Sequence, residues 1–175
     1  MTLDEATALI NDIGVAAPNS LDGPSIAAAL TIFADHLRKT RTDLSMAGVD
    51  GAPDWATYET MLWHLSERLR PVLLTRKDWR ADSPVLKALT LICKNRSYSK
   101  GRQNMVLMLG QFGGTGEATA LSSLIDDPDV NGHVFKALSK LRDASCQESV
   151  SLMIPQLSGW KRAAAKKYLT LQPVK

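Results

Sequence analysis

Residues 109–154 read LGQFGGTGEATALSSLIDDPDVNGHVFKALSKLRDASCQESVSLMI, and one apolar pattern runs through this stretch twice. Leu109, Phe112, Leu121, Leu124 and Ile125 are matched by Leu138, Leu141, Val150, Met153 and Ile154, each pair 29 positions apart. That is the length of two short helices with their turns. The repetition therefore predicts helical hairpins stacked on one another rather than a closed globule. A third copy begins near Trp160 and runs through Tyr168. The expected helices lie near residues 100–112, 116–126, 129–142, 146–157 and 159–171.

Upstream of this region the helical period continues without a clear repeat. Leu3, Ala6, Leu9, Ile10 and Ile13 form one stripe, stopped at Gly14. Asp22, Gly23, Pro24 and Ser25 open a second helix in which Ile26, Leu30, Phe33 and Leu37 share a face, with Arg38, Lys39 and Arg41 near its carbonyl end. Residues 45–53, with Gly48 and Gly51, read as a loop. Asp54 is placed to cap a third helix striped by Trp55, Tyr58, Leu62, Leu65 and Leu69, which Pro71 should end or kink. Ser83 and Pro84 then serve as N-cap and first residue of a helix burying Val85, Leu86, Leu89, Ile92 and Cys93. No run alternates with the period of a strand, so the chain is expected to be all-α with about nine helices.

Composition bounds the function. With 175 residues, 45% of them apolar, the chain is long enough for a single domain with a sizeable core. Its apolar runs, such as residues 26–33, are far shorter than a membrane span needs, and Met1-Thr2-Leu3-Asp4-Glu5 does not resemble a signal peptide. A cytoplasmic location without membrane association is the expectation. Cys93 and Cys146 have no second Cys or His at metal-ligand spacing, so they are read as reduced, packed thiols, and neither a metal nor a cofactor is expected. Charge is split along the chain: residues 1–67 hold three basic and ten acidic side chains, net −7, and the remainder holds eighteen against eight, net +10.

The segment from Asp126-Asp127-Pro128-Asp129-Val130 through Ala137-Leu138 resembles the start of a HEAT repeat of the short, phycobilisome-lyase-like kind. Gly101-Arg102 through Leu109-Gly110 is similar to the same frame one repeat earlier, and Trp160 through Tyr168 to the frame one repeat later. The resemblance covers residues 83–171 and implies an α-α superhelix of HEAT-like hairpins, with residues 1–82 as an acidic N-terminal bundle or cap. Within the motif Asp127 is placed as an N-cap and Pro128 at the first helical position. The arginine that the family pattern expects after the valine is Arg102 in the first copy, Asn131 in the second and, with a one-residue slip, Lys161 in the third.

No residues form a recognisable catalytic motif. Gly113-Gly114-Thr115-Gly116 lacks the lysine of a phosphate-binding loop and reads as a hairpin turn. His64 with Glu67 reads as a surface contact rather than an acid and base pair. Arrays of this kind bind partners. The family geometry puts the second helix of each pair on the concave side, bearing Glu117, Ser122, Ser123, Gln147, Glu148 and Ser151, and leaves Lys136, Lys140, Lys166 and Lys167 on an outer face. The expectation is a non-catalytic protein-binding chain, an adaptor, regulator or immunity-type inhibitor, with a protein partner. Its contact residues are expected among Arg76, Lys77, Trp79, Arg80, Lys87, Lys94, Arg96, Tyr98, Lys100 and Arg102, where Trp79 and Tyr98 stand ready to stack. The alternative is DNA or RNA bound by this same basic cluster over residues 76–102.

Overall fold

Several helices start where the sequence supplies an acceptor for their first free amides. Thr2 and Glu5 form a reciprocal capping box, in which the Thr2 hydroxyl accepts from the Glu5 amide at 3.2 Å and the Glu5 carboxylate accepts from the Thr2 amide at 2.6 Å. Asp22 accepts from the Ser25 amide at 2.9 Å, and its hydrogen bonds to Ser25 hold its carboxyl below the usual range. The Ser83 hydroxyl accepts from the Leu86 amide at 3.1 Å and donates to the Trp79 carbonyl at 2.7 Å. Ser83→Ala is expected to cost about 1 kcal/mol, the usual worth of such a cap, read as a lowered urea midpoint with an unchanged slope.

The computed structural model describes residues 1–40 and 54–171; the side chains of residues 54–58 lie outside that description. Among the described residues the chain is all-helical, with nine α-helices: α1 Leu3–Asp12, α2 Gly23–Lys39, α3 Asp54–Thr75, α4 Pro84–Lys94, α5 Gln103–Phe112, α6 Thr115–Ser122, α7 Asn131–Leu141, α8 Gln147–Met153 and α9 Gly159–Leu169. Short 3-10 turns occur at Pro18–Ser20, Lys77–Trp79, Arg96–Arg102 and Ile154–Gln156. The expected loop at 45–53, the cap at Asp54 and the stripe positions Trp55 and Tyr58 fall outside the described residues or side chains.

Packing follows the 29-residue register. Shifting α5 by 29 positions gives residues 132–141, which is α7 less its first residue, and shifting α7 gives 160–170, which overlaps α9. Helices α3, α5, α7 and α9 pack in succession, each on the next, while α2 packs on α1 and α4, and α4 on α6. The two sets meet through α4 on α5, α6 on α7 and α8 on α9. Buried side chains from Ala6 to Tyr168 form one hydrophobic cluster, in which the matched residues Leu109 and Leu138 are both fully enclosed. At the α5–α7 crossing the helices approach so closely that a Cβ on Gly110 would lie 2.5 Å from the Ala137 Cα.

Three local expectations are corrected. Helix α3 runs through Pro71 to Thr75, so of the two outcomes expected there, an end or a kink, the end does not occur. Proline removes one amide, and the buried positions Leu65, Leu69, Val72 and Leu73 on both sides of it keep the helix on the core. Helix α6 stops at Ser122, four residues early, because residues 123–126 leave the helix as hydrogen-bonded turns. Asp127 and Pro128 precede α7 rather than opening it: the first helical residue is Asn131, and the Asp127 carboxylate accepts from the Asp129 amide at 3.1 Å inside the preceding turn.

Candidate binding surface

Three arginines of the basic cluster of residues 76–102, Arg76, Arg80 and Arg102, are turned inward on the protein's own backbone. Arg76 donates at 2.8 Å to the carbonyls of Pro18 and Leu21, pairs with Asp78 at 2.6 Å and lies over the Trp79 ring. Arg80 donates to the carbonyls of Leu73 and Leu74 at the end of α3, and lies over Phe112. Outside the cluster, Arg68 does the same for α1, donating to the carbonyls of Ile10, Asn11 and Ile13 at 2.6–3.0 Å. A guanidinium is well suited to this, because its planar set of donors can satisfy several orphan carbonyls of a helix end at once.

The two aromatics of the cluster are not available for stacking. Trp79 is buried against α2, where a Cβ on Gly23 would come within 2.9 Å of its Nε1, so Gly23 makes the room for it. Tyr98 is buried with its hydroxyl on the Asp35 carboxylate. Arg102, expected at a partner surface, is fully enclosed. It donates to the carbonyls of Ser99 at 2.7 Å and Cys93 at 2.9 Å, and its Nη2 meets the Asp127 carboxylate at 2.8 Å, an off-axis ionic contact. Arg96 pairs with Asp126 at 2.7 Å on the surface. Lys77, Lys87, Lys94 and Lys100 are exposed, so of the ten candidates these four and Arg96 face solvent.

Other polar candidates are also engaged. Glu117 does not face a partner: it is buried and accepts from the Gly114 amide at 2.8 Å, closing the Gly113–Gly114 turn. Glu67 accepts from Asn104 at 2.5 Å, while His64 is exposed and borders a groove with Trp63, Thr60, Lys100 and Gln103. Cys93 is buried as a free thiol whose pKa is pushed up by desolvation to about 12. Such a thiol stays protonated and is a poor nucleophile. Among the described residues no group of three or more His, Cys, Asp or Glu is placed to hold a metal ion, and no helix is long and apolar enough to cross a membrane.

A further candidate surface lies between α7 and α9. A groove of about 390 Å³ is lined by Lys136, Ser139, Trp160, Ala163, Ala164 and Lys167. Trp160 is 46% exposed, yet its seat is specific. Its ring rests on α7 where a Cβ at Gly132 would come within 2.5 Å, meets the His133 ring edge-on at 4.9 Å, and carries the Lys136 ammonium at 4.7 Å from a ring centroid. Helices α7 and α9 together hold Lys136, Lys140, Lys161, Arg162, Lys166 and Lys167 and no carboxylate. The sequence places Lys136, Lys140, Lys166 and Lys167 on a solvated outer face and gives Trp160 no partner-binding role; the readable signal is glycine at 132 facing tryptophan about one repeat later.

His133 reports the electrostatics of this surface. Its half-buried ring is desolvated and lies near Lys136 and Lys161, which lowers its pKa to about 4, while its Nδ1 is buried without a hydrogen-bond partner. In the unfolded chain an imidazole titrates near 6.5. Between about pH 6.5 and 4 the unfolded state therefore binds a proton that the folded state refuses, and stability falls as the pH is lowered through that window. His133→Gln should flatten this loss: the stability difference between pH 7 and pH 5, measured by urea unfolding, should shrink relative to the parent protein.

No protein-family model matches the chain, and neither a curated protein nor a solved structure matches it significantly.

Proposed function

We propose that this protein is a HEAT-like α-solenoid that works by binding a protein partner, without catalysis, as an adaptor, regulator or immunity-type inhibitor. The observation that carries this reading is the surface between α7 and α9, where a seated, half-exposed tryptophan and an apolar floor stand among cations. Aromatic anchors in shallow grooves are the usual source of affinity at protein interfaces. The solenoid reading rests on the 29-residue register and on the succession α3, α5, α7, α9.

The nucleic-acid alternative would have to use Lys77, Lys87, Lys94, Arg96 and Lys100 without the buried Trp79 and Tyr98. Affinity capture from cells that express the protein, followed by reconstitution with the purified partner, tests the reading. A stoichiometric complex with one protein is expected. Recovery of polynucleotide alone, released by salt, would replace it with the alternative.

A further inference from the structure

We propose that the groove between α7 and α9 is a docking site for an acidic segment of a protein partner that inserts one apolar side chain against Trp160, Ala163 and Ala164. The inference rests on the protein-binding reading above and specifies its site and the chemistry it takes. Charge complementarity selects the occupant: six cations and no carboxylate occur on the two helices that form the walls, and Lys136 and Lys167 stand on opposite sides of the opening. A segment rich in aspartate and glutamate is drawn in by this field and held by Lys136 and Lys167 at the rim.

The floor decides between a peptide and a nucleic acid. Ala163 and Ala164 leave an apolar depression beside the indole, at the small end of ligand-site volumes, which run to roughly 300–1,000 Å³. The indole itself is poorly placed to stack on a base, since Gly132 of α7 lies against its Cη2 and Cζ3 and Lys136 sits over its ring. An aliphatic or aromatic side chain entering beside Trp160 fills the depression without displacing Lys136. His133, the remaining titratable group against the indole, stays uncharged at neutral pH because desolvation, Lys136 and Lys161 lower its pKa.

The test uses the full chain and a short fluorescein-labelled peptide of aspartates and glutamates around a single phenylalanine. Its comparators are the same peptide with glycine at the centre and a single-stranded oligonucleotide of similar charge. The phenylalanine peptide is expected to bind tightest and to shift the Trp160 indole N–H resonance. Binding should weaken roughly tenfold in Lys136→Glu/Lys167→Glu, two exposed positions whose reversal leaves the core intact, and by a similar factor in Trp160→Ala. Lys77→Glu/Lys87→Glu should leave it unchanged. Equal binding of the glycine peptide, tighter binding of the oligonucleotide, or indifference to Lys136→Glu/Lys167→Glu would each overturn the proposal. A captured protein partner that still binds the Lys136→Glu/Lys167→Glu variant would remove this site while leaving the protein-binding reading in place.

Discussion

Arg102→Met is expected to lower stability by about 3 kcal/mol or more, because it removes the buried counter-charge of Asp127 and leaves only the exposed Arg96, 3.9 Å from that carboxylate. Methionine keeps much of the volume, so packing changes little and the loss reports the buried charge together with the carbonyls of Cys93 and Ser99 that Arg102 had satisfied. For a chain of this length the melting midpoint should fall by roughly 6–20 °C. Adding Asp127→Asn should recover more than half of the loss, since the amide is neutral and its oxygen can still accept from the Asp129 amide. A loss below about 1 kcal/mol in the single variant, the size of an ordinary point mutation, would show that the pair is not enclosed in solution.

Gly110→Val should be nearly as damaging, at about 3 kcal/mol. The new methyls would collide with the backbone of Ala137 rather than with a side-chain tip, so the only relief is to move α5 and α7 apart. Because α7 also forms one wall of the groove that holds Trp160, the same variant should shift the Trp160 indole resonance without touching it. Gly116→Ala is the control. Its nearest neighbour would be the Asp82 carboxylate at 3.5 Å, an ordinary contact, and no loss is expected. Equal melting midpoints for Gly110→Val and the parent protein would mean that the two helices do not meet as closely as described.

The helices were legible because an amphipathic helix carries its buried stripe in its own residues. The match between Leu109 and Leu138 is visible without knowing what either touches, and both are fully buried. The candidate surface was not legible for the opposite reason. Arg76 reads in sequence like any solvated cation, and its acceptors, the carbonyls of Pro18 and Leu21, lie 58 and 55 positions away and belong to the backbone, which has no letter. Trp79 among four charges looks like an exposed anchor until Gly23 is placed against it. The reverse holds for Trp160: at the start of a helix rich in lysine it looks incidental, and only the distant Gly132 gives it a seat. The break of α6 at Ser122 and the passage of α3 through Pro71 were hidden similarly, since local propensity yields to what the neighbouring helices can bury.

The arginine ties of the N-terminal half carry an evolutionary consequence. Arg68 and Arg76 hold α1 and the turn after it through carbonyls alone, and every residue supplies a carbonyl. Side chains at positions 10, 11, 13, 18 and 21 are therefore free of any demand from these bonds and can drift under packing constraints only. The two donors have no such latitude, because lysine offers a point charge where a planar fork is required. Among diverged descendants of this gene, the first helix should be hard to align by sequence while the two arginines that fasten it stay in register.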